Sequence, residues 1–156
     1  MDDFVSKPGV PNAYGLLGGE ANAIAAGKRP LSSMTPTIVL ADGEPWFATG
    51  SPGGSRIITS VLQMIVNVID HGMNLAETVN APRMHHQWFP DVLQLESGFS
   101  PDTVKMLRER GHEIQEAQWS MGSVQAVGIR DGVFLGASDP RRPNAASVAP
   151  AAAAAE

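Results

Sequence analysis

The chain has 156 residues, 43% hydrophobic and 17% charged, enough for one domain with one core and too few for two. Its net charge of -5 comes from dispersed acids with no basic run, which argues against nucleic acid and anionic membrane as partners. No stretch reaches the roughly 18 apolar residues of a membrane span, and Met1-Asp2-Asp3-Phe4 lacks the regions of a signal peptide. The absence of cysteine removes disulfides, a thiolate nucleophile and a cysteine-based zinc site, while leaving the compartment open.

The chain opens on a long irregular segment in which Pro8, Gly9, Pro11, Asn12, Gly15, Gly18 and Gly19 precede any periodic pattern. A loop of this length is usually functional or anchored to something else, and a portion upstream of Met1 would account for it. The first strand is predicted at Thr37 to Ala41, with Asp42-Gly43 as a tight hairpin turn and Trp46 to Thr49 as the returning strand. After Gly50-Ser51-Pro52-Gly53-Gly54-Ser55, the apolar run Ile57 to Ile69 has helical spacing. Ile57, Ile58, Val61, Leu62, Ile65, Val68 and Ile69 make a stripe that Met64 widens, so the helix should be mostly buried against a sheet and stop at Gly72.

A short helix follows from Asn74 to Asn80, with Asn74 as a cap and Pro82 as the stop. Val92 to Glu96 reads as a strand. Ser100-Pro101-Asp102 supplies a cap and a first-turn proline for a helix from Thr103 to Arg110, ended by Gly111. Glu113 to Ala117, Val124 to Arg130 and Val133 to Ala137 read as strands, the last two joined by Asp131-Gly132 as a second hairpin. The domain is expected over 1–142, and the alanine-rich 143–156 as a frayed tail. Tight-turned strand pairs with grouped helices place the fold in the α+β class, mainly antiparallel, rather than among doubly wound parallel sheets.

Gly53-Gly54 ahead of a helix is the most telling local feature. Backbone N–H groups in such a turn can converge on one point, where the positive end of the helix adds to their effect on an anion or a developing oxyanion. A glycine turn that only redirects the chain between strand and helix has the same local pattern. Ser32 and Ser33 offer two hydroxyls for a carboxylate, or ordinary capping before a strand. Asp2 and Asp3 can accept hydrogen bonds from an ammonium group, or stand as solvated acids. His85 and His86, as neighbours on a strand, point to opposite faces and are badly placed to share a metal; a structural or surface role fits them better. No serine sits in a nucleophile-elbow sequence.

Six blocks in order then stand out: Met1-Asp2-Asp3-Phe4, Lys7-Pro8-Gly9-Val10-Pro11-Asn12, Lys28-Arg29-Pro30-Leu31-Ser32-Ser33-Met34, Thr49-Gly50-Ser51-Pro52-Gly53-Gly54-Ser55-Arg56, Asn80-Ala81-Pro82-Arg83 and Ala137-Ser138-Asp139-Pro140-Arg141. Together, from Met1 to about Arg142, they closely resemble the C-terminal part of the small subunit of bacterial-type gamma-glutamyltranspeptidases (glutathione hydrolases). The resemblance implies a share of the four-layer αββα fold of N-terminal-nucleophile hydrolases, made as a precursor that cleaves itself into a large and a small subunit. The threonine freed at the N-terminus of the small subunit attacks the γ-glutamyl carbonyl of substrates such as glutathione, and the acyl-enzyme passes to water or an acceptor amine. This scheme needs no cofactor or metal.

By the same resemblance Asp3 holds the substrate's α-ammonium, Ser32 and Ser33 its α-carboxylate, and the N–H groups of Gly53 and Gly54 the oxyanion. The nucleophile threonine, further threonine, asparagine and glutamine contacts and an arginine of the large subunit fall outside the 156 residues, and internal Thr35, Thr37 or Thr49 cannot replace a threonine freed at an N-terminus. The chain is therefore expected to be inactive by itself and to need the large subunit and the nucleophile-bearing part of the small subunit as partners. The alternatives are a non-catalytic γ-glutamyl or glutamate-binding module, and a subunit that complements a separate nucleophile-bearing chain. The family implies a periplasmic or extracellular location.

Overall fold

The computed structural model describes residues 3–148, so Asp2 and the last eight residues of the predicted tail, 149–156, lie outside the described residues. The opening arm runs without a strand to Pro36, holding a 3-10 turn at Glu20–Asn22 and two isolated bridges, Val5 with Ala23 and Pro11 with Leu17.

β1 (Thr37–Ala41) and β2 (Glu44–Gly50) form the first antiparallel hairpin. Asp42 takes φ 53° and Gly43 φ 87°, the pair of positive angles that the Asp-Gly turn predicts. The register slips between Val39 and Leu40, so that Leu40 faces Pro45. Pro45 has no N–H, and β6 (Gln125–Arg130) pairs with β2 only from Phe47 onward, so the missing donor falls where no partner needs it. β7 (Val133–Ser138) closes the second hairpin, giving a four-stranded antiparallel sheet in the order β1-β2-β6-β7.

α1 (Arg56–Ile69) and α2 (Leu75–Asn80) lie on one face of this sheet. Phe47, Val124, Ala126 and Ala137 from the strand side meet Met64 and Val68 of α1 and Val79 of α2 in the buried core. Each large apolar side chain buried there contributes roughly 1.5–3 kcal/mol. α2 starts with a reciprocal cap: Asn74 Oδ1 accepts from Glu77 N at 2.9 Å and Glu77 Oε2 accepts from Asn74 N at 2.9 Å.

The predicted burial of α1 needs correction. Ile57, Val61, Met64 and Val68 are buried, but Ile58, Leu62 and Ile69 are 49%, 55% and 50% exposed. One stripe of the helix meets the sheet and a second apolar stripe faces outward. The sheet repeats this pattern, because antiparallel partners share a face. Ile38 stands opposite Ala48, Ala48 opposite Val127, and Ile129 opposite Phe134, on the side away from α1. Ile38, Val127 and Phe134 are exposed there.

A second sheet has the order β3-β4-β5, formed by Met84–His85, Leu93–Leu95 and Ile114–Glu116. β4 and β5 are parallel, with α3 (Pro101–Glu109) as the crossover that parallel strands require. The reading of helices as only grouped thus misses one strand-helix-strand unit, and β3, two residues long, is too short for a periodic signal. Ser100 Oγ accepts from Thr103 N at 3.2 Å and Pro101 occupies the first turn of α3, as its sequence predicts.

Candidate functional site

The strand-to-helix turn after β2 holds two consecutive glycines at positive φ. Gly53 has φ 142° and Gly54 φ 59°, angles that L side chains rarely adopt. Their carbonyls accept from Arg56 N at 3.2 Å and Ile57 N at 3.1 Å, which starts the helix. Among the described residues neither glycine N–H has an acceptor of its own. Two unpaired donors at a helix N-terminus are what an oxyanion needs.

The turn is held from two sides. A Cβ on Gly54 would collide with the ring of Tyr14, so the aromatic ring packs closely against this glycine. On the other side, a Cβ on Gly53 would stand 3.3 Å from Gly122 Cα. Gly122 itself must be glycine: its φ is 81°, and a Cβ there would run into the Ser51 hydroxyl and lie 2.8 Å from the Pro52 carbonyl oxygen. Ser51 Oγ donates to that carbonyl at 2.8 Å and accepts from Ser123 N at 3.0 Å, tying β2's exit to the entry of β6.

The opening arm supplies the rest of the site. Asn22 is its organiser: Nδ2 donates to the Asp3 carbonyl at 2.6 Å, Oδ1 accepts from Leu31 N at 2.9 Å, and its own carbonyl accepts from Val5 N at 3.0 Å. Asp3 and the segment leading to Ser33 are thereby drawn together. Asp3, Ser33 and Gly54 line one cavity of about 80 Å³, with Tyr14, Asn22 and Ser55 also on its wall. Ser32 and Gly53 are not on that wall; Ser32 Oγ accepts from Met34 N at 3.3 Å. Three of the five predicted site residues therefore meet, and the other two are their immediate neighbours in sequence.

Ser55, in the N-cap position of α1, makes no cap hydrogen bond. Its hydroxyl instead donates to Gln87 Oε1 at 2.8 Å. Gln87 Nε2 donates to the Tyr14 carbonyl at 2.8 Å and to the Phe89 carbonyl at 3.3 Å, which fixes the orientation of the amide. Oε1 then accepts from His85 Nε2 at 2.9 Å, so His85 Nδ1 is left to accept from the Thr59 hydroxyl at 2.8 Å. Burial, aided by Arg56 and His86 and opposed by the Gln87 bond, pushes the His85 pKa below its ordinary value. His86 lies at the surface, 3.0 Å from Asp91. β3 ends at His85, so the two are not neighbours within a strand as expected; His85 is buried in this network while His86 is partly exposed. Tyr14, Asn22 and Gln87 were missed: only their turn-forming and polar character marks them in sequence.

Two of the six sequence blocks meet in a buried ionic cluster beneath the site. Arg83 Nη1 donates to Asp139 Oδ2 at 2.7 Å and to the Met121 carbonyl at 3.1 Å. Arg141 grips Glu96 with two bonds, Nε to Oε1 at 2.8 Å and Nη2 to Oε2 at 2.6 Å, and reaches Asp139 Oδ1 at 3.1 Å. Asp139 and Glu96 also accept backbone N–H groups, from Val124 at 2.7 Å and Met121 at 3.0 Å. Burial by itself would raise both carboxyl pKa values. The hydrogen bonds and arginine charges outweigh it, holding both below the usual carboxylate range. The guanidinium of Arg83 is pushed down by burial, whereas that of Arg141 is raised because its two carboxylates overcome burial. The cluster fixes Met121 to Val124, and with it Gly122 behind the Gly53-Gly54 turn.

Thr37 and Thr49 have their hydroxyls committed to the Thr35 and Gln125 carbonyls, at 3.0 and 3.1 Å. Among the described residues no three His, Asp or Glu side chains gather as metal ligands.

The antiparallel sheet with its packed helices has the N-terminal-nucleophile hydrolase fold of the solved gamma-glutamyltranspeptidase structures that this chain resembles. The chain belongs to the gamma-glutamyltranspeptidase family, whose model matches residues 1–149. It is 62% identical over 142 residues to the glutathione hydrolase proenzyme of Escherichia coli, covering 90% of this chain and 24% of that protein. It is 51% identical over 152 residues to the proenzyme of Pseudomonas sp., covering 91% and 26%. The chain thus spans about a quarter of the length of these curated relatives. A mutant of gamma-glutamyltranspeptidase from Helicobacter pylori superposes with TM-score 0.86 at 54% identity, covering 91% of this chain and 78% of that one. The Bacillus anthracis transpeptidase CapD superposes with TM-score 0.68 at 28% identity, covering 80% and 75%.

Proposed function

We propose that this chain supplies the head-group and oxyanion half of a γ-glutamyl transferase or hydrolase site and lacks the nucleophile. Asp3 takes the α-ammonium of the γ-glutamyl group, Ser33 with Ser32 the α-carboxylate, and the Gly53 and Gly54 N–H groups the carbonyl oxygen. A threonine hydroxyl from the partner segment gives its proton to that threonine's own α-amino group as its oxygen bonds to the γ-carbonyl carbon; the carbonyl oxygen gains negative charge at the glycine turn, and the same proton then passes to the leaving amine. The C–N bond to the leaving amine then breaks as that amine is protonated, leaving an ester that water or an acceptor amine cleaves. One observation carries the reading: Asp3, Ser33 and Gly54 share one cavity wall although 51 residues of sequence separate the first from the last. On this reading 1–142 is the domain portion and 143–156 an appendage, with glutathione among the substrates and a location outside the cytoplasm. No helix among the described residues is long and apolar enough to cross a membrane.

Reconstitution tests this. The 156-residue chain should not turn over a chromogenic γ-glutamyl anilide above blank. The same chain assembled with a large subunit and the threonine-bearing segment should do so. Turnover by the chain alone, or an assembly that forms and stays inert, contradicts the proposal.

A further inference from the structure

We infer that Gln87 is a positioning residue that latches the flap 9–18, with Tyr14 at its tip, over the oxyanion turn. The flap holds its own shape. Asn12 Oδ1 accepts from Tyr14 N at 2.9 Å and Leu16 N at 3.0 Å, Asn12 N donates to the Leu16 carbonyl at 3.0 Å, and Gly9 N donates to the Gly18 carbonyl at 3.0 Å. None of these bonds reaches the body of the domain. Among the described residues the polar tether that does so is Gln87 Nε2 to the Tyr14 carbonyl, at 2.8 Å. Beyond that bond the flap meets the body by packing, the Tyr14 ring against Gly54 and Gly15 beside Pro90, so opening the bond leaves only these contacts to hold the flap down.

The other end of Gln87 is anchored at the site. Its Oε1 accepts from Ser55, next to Gly54, and from His85, which Thr59 of α1 holds in turn. One amide thus reads the position of the helix start and sets the carbonyl of the residue whose ring covers Gly54. The oxyanion turn is clasped separately, by Gly122 and Ser51, so loosening the flap leaves the glycine donors in place and uncovers the cavity beside them. The effect belongs to holding the donor substrate and not to the chemical step. This deepens the γ-glutamyl reading and rests on it for the identity of the substrate.

Gln87→Glu keeps the acceptor oxygen for Ser55 and His85 and replaces the donor facing Tyr14. Gln87→Met removes donor and acceptor without adding charge and serves as the second arm. In the assembled enzyme containing this chain, 4-fluorophenylalanine at position 14 gives a fluorine resonance whose quenching by a soluble nitroxide reports flap opening. Losing one net hydrogen bond should raise the open fraction roughly ten-fold. Quenching should rise in both variants, and KM for the γ-glutamyl anilide should rise at least about five-fold while kcat stays within about two-fold. Unchanged quenching in both variants overturns the latch. Increased quenching with unchanged KM, or a loss confined to kcat, overturns its role in holding the donor. If the wild-type assembly proves inert, the γ-glutamyl reading fails, whereas the quenching still decides the latch.

Discussion

Arg141 and Glu96 meet fork to fork, Nε on Oε1 at 2.8 Å and Nη2 on Oε2 at 2.6 Å, across 45 residues of sequence. Planar groups matched in this way lose little entropy per bond, and the remaining donors of Arg141 go to the Val79 and Ala81 carbonyls and to Asp139 Oδ1. The pair acts on the site at one remove. Glu96 accepts from Met121 N, and Met121 leads into Gly122.

In the neighbouring pair, Arg83 and Asp139 have side-chain exposures of 4% and 0%, so removing one charge strands the other. Asp139→Asn should cost roughly 3–5 kcal/mol and lower the melting temperature by roughly 6–20 °C. Urea unfolding of the variant beside the wild type measures it, and a change under about 1 kcal/mol would show that the cluster is replaceable.

Acid should loosen the fold by a linkage whose sign is the same for three groups. Asp139 and Glu96 have folded pKa values below their ordinary ones, so the unfolded chain binds protons first as pH falls through about 4, and their stabilisation is lost between there and the folded values. His85 is also depressed. Its contribution is complete above about pH 6.5 and declines as pH falls toward the folded value, because the unfolded ring protonates while the folded one stays neutral. The melting temperature should thus drop from pH 7 to pH 4, and His85→Gln should flatten the upper part of that slope. A melting temperature independent of pH in this range would contradict both.

Gly122→Ala should be among the most damaging single-methyl additions in the chain. The φ of 81° costs an alanine about 1–2 kcal/mol, and the clash with Ser51 and the Pro52 carbonyl adds roughly 1–3 kcal/mol. Gly132→Ala, also at positive φ but with nothing within 4 Å, is the control and should carry only the first cost. Equal destabilisation of the two would remove the close packing as an explanation.

The two serines should not be equivalent. Ser33 lines the cavity and Ser32 does not, so Ser33→Ala should raise KM for a γ-glutamyl donor in the assembled enzyme about ten- to a hundred-fold, the range of one charge-assisted hydrogen bond. Ser32→Ala should raise it only about three-fold. The reverse order would mean that the carboxylate sits differently from the cavity described.

Local chemistry made much of the fold legible in sequence. Asp42-Gly43 and Asp131-Gly132 need positive φ and receive it, and Asn74 and Ser100 cap the helices that they precede. Relationships that no local rule carries were hidden. The parallel pairing of β4 with β5 depends on where α3 returns the chain, and periodicity could not say that Ile58, Leu62 and Ile69 face away from the sheet. At the site, Asp3, Ser33 and Gly54 were readable as chemical types. Gln87 was not, because its role exists only once Tyr14, Ser55 and His85 surround it, from positions up to 73 residues away.

The outward apolar face of the four-stranded sheet carries a cost that the helices on the other side do not offset. Ile38, Val127 and Phe134 are 71%, 59% and 67% exposed on that face, so their transfer from water contributes little to holding the sheet together. Replacing Phe134 by serine should therefore change the solubility of the chain, and its assembly in the proposed enzyme, before it changes folding.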